Sequence, residues 1–386
     1  MWSDNSHALI TGFMKHWLYR FGWRLLPGVL ASGLTLFAAH VGIFQPLEHS
    51  VYRFLFQVRG EQPWDERVAV IEIDEASLAT IGQFPWPRHY YADLLETLAP
   101  ADASVVAFDI LFAESAEDDA ELALAMEHHG NVVVATAWDK QRGVIGPNAD
   151  VMEGAIATGH IHHIADTDGI TRTYYPKANG TPALSVAAVQ HYSPSQAHGL
   201  AASHQSLWLN WLGGTQNAPR YSFADVLNGT IPVDSFSDKI VFVGFTGVGL
   251  DTMTTPYNQN PPAAGVYQHV VAANNLLAQN HLKPFVVPVM VLLVLLGPGL
   301  GYQLFYRRYR VHLLANLIIV VTWGSAVTVA FHHNYWLPTV APLGTVVATS
   351  FFVRLTERLQ GKLKLSQFAN IDRTLVRQAE TITVCE

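Results

Sequence analysis

Four stretches of this chain run for about 20 residues without Asp, Glu, Lys or Arg: 25–44, 285–306, 311–331 and 335–353. A helix needs about 20 apolar residues to cross a bilayer, so each predicts a transmembrane helix. Between the first two, the apolar runs are shorter and change period. Residues 68–73, 104–111, 131–137 and 239–245 are short, rich in β-branched residues, and read as strands. Tyr91, Leu94, Leu95 and Leu98 recur at helical spacing over 88–98, and Leu122, Leu124, Ala125 and Met126 mark a second helix over 118–129. Strand, helix, strand, helix, strand in that order predicts β-α-β units with parallel strands. Further helices are predicted over 48–63 (Val51, Phe54, Leu55, Val58), 182–191, 222–227 with Ser222 as its cap, and 265–280. Residues 160–164 and 206–212 read as strands, and Asp168-Gly169 predicts a tight turn within 166–172. The polar segments 139–149 and 193–205 read as loops. The fold class expected is an α/β domain, a mostly parallel sheet with flanking helices, plus four transmembrane α-helices.

Charge gives this layout an orientation. Residues 47–283 hold 11 Lys and Arg against 26 Asp and Glu, leaving −15, whereas the remainder holds 12 against 5, leaving +7. The outer basic residues cluster at Lys15, Arg20 and Arg24, at Arg307, Arg308 and Arg310, and from Arg354 to Lys364. Basic loops stay in the cytoplasm, so the expected order is a cytoplasmic N-terminus (1–24), a retained signal anchor (25–44), an outside domain (47–283), spans at 285–306, 311–331 and 335–353, and a cytoplasmic tail (354–386). This is a multi-pass protein of the cell (inner) membrane with its large domain in the periplasm or outside. A domain this acidic argues against nucleic acid as a partner. Cys385 is the single cysteine and falls in the tail, so no disulfide is expected in the outside domain.

Asp74 and Asp109 stand at the ends of two predicted strands, where ligands of open parallel sheets bind. Between them Gly82-Gln83-Phe84-Pro85-Trp86-Pro87-Arg88 turns into a helix with an aromatic and a cation. Asp74, Trp86, Arg88 and Asp109 are the candidate ligand-binding residues. The alternatives are that the acids cap helices or pair with Arg88 or Arg172, and that Trp86 packs on the core. His160, His162 and His163 invite a metal reading but lack a fourth ligand at zinc spacing. Asp166-Thr167-Asp168-Gly169 lacks the closing Glu of a calcium loop. The glycine-rich 244–249 lacks the Lys-Ser/Thr of a phosphate loop and the Ser of a nucleophile elbow. No catalytic residue, metal or cofactor is therefore expected. The spans carry His40, Gln303, Asn316, Thr322 and Ser325 but no mid-span charge, which disfavours a proton-coupled transporter.

The run I-D-E-x-S-L-x-x-I-G-x-x-P-W-P-R from Ile73 to Arg88, then Phe108-Asp109-Ile110-Leu111-Phe112 and Asp118-Asp119, resembles the CHASE type 2 domain of cyclase- and histidine-kinase-associated extracellular sensors. Residues 166–172, 239–244, Asp251, Thr255-Pro256 and Gly265-Val266 fit the same family, over roughly 48–284. The resemblance implies an extracytoplasmic sensor for an unidentified ligand, signalling through the spans that follow. Members of the family often end in a cyclase or kinase domain. Here about 33 residues follow Val353, fewer than the ~100 of a catalytic domain, so output is expected through a separate effector, a cyclase or kinase, unless the sequence is truncated. The tail's Leu355, Leu359 and Leu363 suggest a helical seam for a homodimer, with a plain solvated helix as the alternative. A membrane-anchored hydrolase and a structural partner in an envelope complex are the competing functions.

Overall fold

The computed structural model describes residues 4–101, 103–139, 143–197, 205–249, 251–305 and 307–383, with backbone alone at 4–21, 139 and 363–383. The chain forms two compact units, Tyr52–Pro284 and a second made of Met1–Val51 with Phe285–Glu386.

Tyr52–Pro284 is built on β1 (Val68–Ile73), β2 (Val105–Asp109), β3 (Val132–Asp139), β4 (Gly143–Ile145), β5 (Ala157–His160), β6 (Arg220–Ser222) and β7 (Ile240–Phe245). Five strands lie parallel in the order β6-β1-β7-β2-β3; β5 extends the parallel set beside β3, and β4 pairs antiparallel with the end of β3. The expected β2-β3 pair forms, with Phe108 opposite Val134. The expected β1-β2 pair does not. β7 lies between them, with Val70 opposite Phe242 on one side and Ala107 opposite Phe242 on the other. Apolar pattern marks a segment as a strand, but its neighbour in the sheet is a long-range choice that the pattern leaves free.

Helices that flank this sheet include α1 (Glu75–Ile81), α2 (His89–Leu98), α3 (Asp119–His129), α4 (Leu184–Tyr192), α5 (Phe223–Leu227) and α6 (Val266–Ala278). Ile71, Ile73, Phe108, Val134, Val241 and Val243 form one core with Leu94, Leu95 and Leu98 of α2, Leu122 and Met126 of α3 and Phe223 of α5. Alternate residues such as Val70, Ala107 and Phe242 are equally buried on the opposite face, where α4 and α6 pack. Burial on both faces is why the strands read as continuous apolar runs. The predicted strand over 206–212 shrinks to Leu207–Trp208, because Asn210 turns inward to bond the Asn275 and Asn280 region. The turn at 166–172 exists as expected, and it delivers Asp166 and Asp168 to the Arg172 guanidinium at 2.8 and 2.7 Å.

Among the described residues of the other unit, three helices are long and apolar enough to cross a bilayer: Gly22–His40, Val286–Leu304 and Tyr309–His332. The first and second meet through small residues. A β-carbon on Gly28 would overlap the Gly297 carbonyl, and the Ser32 hydroxyl donates to the Leu293 carbonyl at 2.7 Å. The fourth expected span, 335–353, is corrected. Its helix starts only at Val340, where Glu48 accepts hydrogen bonds from the backbone N–H groups of Thr339 (3.0 Å) and Val340 (2.7 Å), and it runs on to Thr383. The uncharged part, 340–353, rises roughly 20 Å, short of the ~30 Å hydrocarbon core. On this helix Leu355 and Leu359 are exposed; the side chains of Leu363, Phe368, Ile371 and Leu375, and all of Cys385, lie outside the described residues, as do the side chains of Lys15 and Arg20.

Candidate functional site

β2 ends on Asp109 and β7 on Phe245, and α6 begins beside them after Gly265. The turn Phe84–Arg88 closes the other side. These segments enclose a cavity of about 300 Å³ at the carboxyl ends of the parallel strands. Phe84, Tyr91 and Phe245 give it aromatic walls; Asp109, Asp251 and His163 bring titratable groups; Gln268 and His269 project from the first turn of α6.

The acids dominate its electrostatics. Burial pushes the Asp109 carboxyl up to about 8, and the nearby charge of Asp251 adds to it. Burial raises Asp251 too, with His163 opposing. His269 is fully enclosed and stacks near Phe242; burial holds its imidazole neutral, down to about 3, with His160 and His163 contributing. The Gln268 side chain is 1% exposed, yet neither its Oε1 nor its Nε2 has a hydrogen-bond partner, and His269 Nδ1 is in the same state. Buried amide groups are normally paired, and leaving one unpaired costs about 1–3 kcal/mol.

Arg88 lines the cavity, but its charge is spent elsewhere. Nε donates to Asp119 Oδ1 at 3.1 Å, Nη2 donates to the Glu114 carbonyl at 2.9 Å, and the guanidinium lies over the Phe112 ring. Asp119 is buried and also accepts from the Ala116 N–H (2.6 Å) and Asn148 Nδ2 (2.8 Å). Asp118 and Asp119 stand at the start of α3 as expected, and the Asp118 side chain, which makes no capping bond there, accepts from the His89 N–H at 2.8 Å.

The cavity thus joins Arg88 and Asp109, two of the four candidates. Asp74 sits at the carboxyl end of β1 but caps α1, accepting from the Ser77 N–H (2.9 Å), the Ser77 hydroxyl (2.6 Å) and the Ser222 hydroxyl (2.9 Å). It faces a separate depression with Glu72, Glu75 and Arg220. Trp86 is 3% exposed, packs on Phe223 and donates Nε1–H to the Gly82 carbonyl at 2.8 Å. Asp251 was named only among the residues that carry the family resemblance, with no site role, and Gln268 and His269 escaped sequence reasoning. The signal for the last two is a Gln-His pair inside the otherwise apolar start of the 265–280 helix.

The histidines at 160–163 do not converge. His160 Nε2 meets the Tyr175 carbonyl at 3.0 Å and its Nδ1 accepts the His162 N–H at 3.3 Å, while burial lowers it to about 4. Among the described residues no group of three or more His, Cys, Asp or Glu side chains is arranged to hold a metal.

The raised Asp109 sets a pH dependence. In the unfolded chain the carboxyl ionises near its ordinary value, but in the folded domain it holds its proton up to about 8. Stability from this group is complete below about 4 and is lost as pH rises through 8. Asp109→Asn, a neutral isostere, is expected to raise the stability of the full chain by at least about 1 kcal/mol at pH 8, the difference closing towards pH 4. Melting curves across that range check it; a constant difference would remove the assignment.

No match was found among curated proteins or among solved structures. The family model for the CHASE2 domain matches residues 29–301, taking in every strand of the sheet, the cavity, and most of the Gly22–His40 and Val286–Leu304 helices. With well over half of its length matched in this way, the chain belongs to the CHASE2 domain family of sensory extracellular domains.

Proposed function

We propose that the chain is a membrane-bound sensor whose α/β domain lies outside the cytoplasm and binds a small molecule in the cavity at the ends of β2 and β7. The observation that carries this is the fully buried Gln268 amide, unpaired at both ends and facing the cavity. A site that keeps a polar group unpaired when empty gains those hydrogen bonds when filled. Family membership supports the sensory role, and three helices apolar enough to span supply a membrane anchor. The acidic 47–283 segment and the basic residues at Arg24 and Arg307 to Arg310 support placing the domain outside the inner membrane. Occupancy of the cavity is relayed to a cytoplasmic effector, a cyclase or kinase, by a chain that works as a homodimer and has no catalysis of its own.

Thermal melting of the full chain in detergent, against a panel of small polar molecules, tests the site. Compounds that raise the melting temperature of the wild type are expected to lose their effect in Leu111→Trp, which places an indole in the cavity from an exposed lining position. Shifts of equal size in the variant would place binding elsewhere and end this reading.

A further inference from the structure

We propose that the ligand is a small organic cation, its ammonium group held between Asp109 and Asp251 and an adjacent polar atom paired with the Gln268 amide. This rests on the cavity being the ligand site and specifies what it takes.

Four observations point to that class. The two carboxylates come from different elements, the end of β2 and the segment before α6, and meet across one cavity. The permanent cation on the wall, Arg88, is already neutralised by Asp119 at 3.1 Å, so its charge does not offset them. The positive end of α6, which elsewhere attracts anions, is taken by the protein's own acid: a β-carbon on Gly265 would overlap the Asp251 carboxylate. Finally, Gln268 offers an unpaired donor and acceptor in the same buried space. A carboxylate or phosphate ligand would meet two acids there. An ammonium meets two acceptors and aromatic rings at Phe84, Tyr91 and Phe245, which suit both a cation and an alkyl body. The volume, about 300 Å³, fits a compact molecule at the low end of the roughly 300–1,000 Å³ of small-molecule pockets.

Binding is linked to proton release. The empty site holds Asp109 protonated up to about 8. An incoming R–NH3⁺ pairs with the carboxylate form, so the acid gives its proton to solvent and the ammonium keeps all of its own. The groups facing Asp109 are Asp251, His163, His269 of α6, Tyr91 of α2 and Arg88; His269 stays neutral and Arg88 stays paired, so Asp109 and Asp251 are the acids that respond.

The test uses the full chain in detergent with three probes of one size: butylammonium, butanol and butyrate, at constant ionic strength. Butylammonium is expected to raise the melting temperature saturably, and butanol and butyrate are not. Its apparent affinity should increase up to about tenfold per pH unit between 6 and 8, and both the shift and this slope should vanish in Asp109→Asn. Gln268→Leu does not disturb the acids and should keep the slope while weakening any probe that adds a second polar atom, such as 4-aminobutanamide. A shift from butyrate or butanol instead, lost in Leu111→Trp, would overturn the cationic class and leave the site standing. A butylammonium shift that survives Leu111→Trp would overturn both. No saturable shift with any ammonium probe, or one unchanged in Asp109→Asn, would overturn the cationic class alone.

Discussion

Asp119→Ala is expected to cost the α/β unit about 3–5 kcal/mol, the range for breaking a buried ion pair from one side. The carboxylate is 2% exposed and its Arg88 partner 11% exposed. Removing it strands a guanidinium over the Phe112 ring and also orphans the Ala116 N–H and the Asn148 amide. Three groups lose their acceptor at once, and of these the Arg88 guanidinium is the most buried, with its side chain 11% exposed. Arg88→Ala, which leaves only the acid, should cost a similar amount. The decisive comparison is the double variant Arg88→Met/Asp119→Leu. Buried pairs replaced together by apolar residues of similar volume are often neutral, so it should recover most of the loss of either single change. Urea unfolding followed by tryptophan fluorescence reads all three; a double variant as unstable as the sum of the singles would show that packing, and not the orphaned charge, sets the cost.

Arg172→Ala is expected to lower stability by about 3 kcal/mol and to loosen the 166–172 turn. The guanidinium is 3% exposed, forks onto Asp168 at 2.7 Å on both oxygens, reaches Asp166 at 2.8 Å, and lies over the Tyr52 ring. Its carbonyl also accepts from the Leu209 N–H, which ties this turn to the Leu207–Trp208 strand. The acids are partly exposed and hydrate when freed, so the cost stays below that of Asp119→Ala. Arg172→Lys should restore less than half of it, because an ammonium offers one point where the planar fork offers two parallel bonds. Full rescue by lysine would mean that charge alone matters there. Hydrogen exchange at 166–172 separates local loosening from global loss.

Much of this was legible in the residues. β2, β3, β7 and α2 announce themselves through runs of Val, Ile and Phe or through Leu at helical spacing, because burial on two faces or one leaves a periodic record. Asp109 was legible as a strand-end acid for the same reason. What separates it from Asp74, also at a strand end, is a serine 148 residues away: Ser222 joins Ser77 in satisfying Asp74, whereas Asp109 meets a second acid. No local pattern distinguishes them. The site roles of Asp251 and Gln268 were invisible for a related reason, since a cavity wall assembled from five separated segments has no spacing to detect. The start of the last helix misled because the apolar record from 335 onward is continuous, while the hydrogen bonds that fix where the helix begins come from Glu48, almost 300 residues earlier.

The position of β7 has a consequence for how the protein is made. It is the central strand, and it leaves the ribosome after more than 60% of the chain, behind every other strand of the sheet. Until then β1 and β2 each present an unpaired inner edge of Val, Ala and Ile or Phe residues, the kind of edge that templates aggregation. Closing the gap needs contacts spanning about 170 residues, a high contact order that slows folding. The centre of the sheet therefore cannot close until β7 has been made. A chain that stops between residues 223 and 239 holds both flanks of the sheet without the strand that joins them.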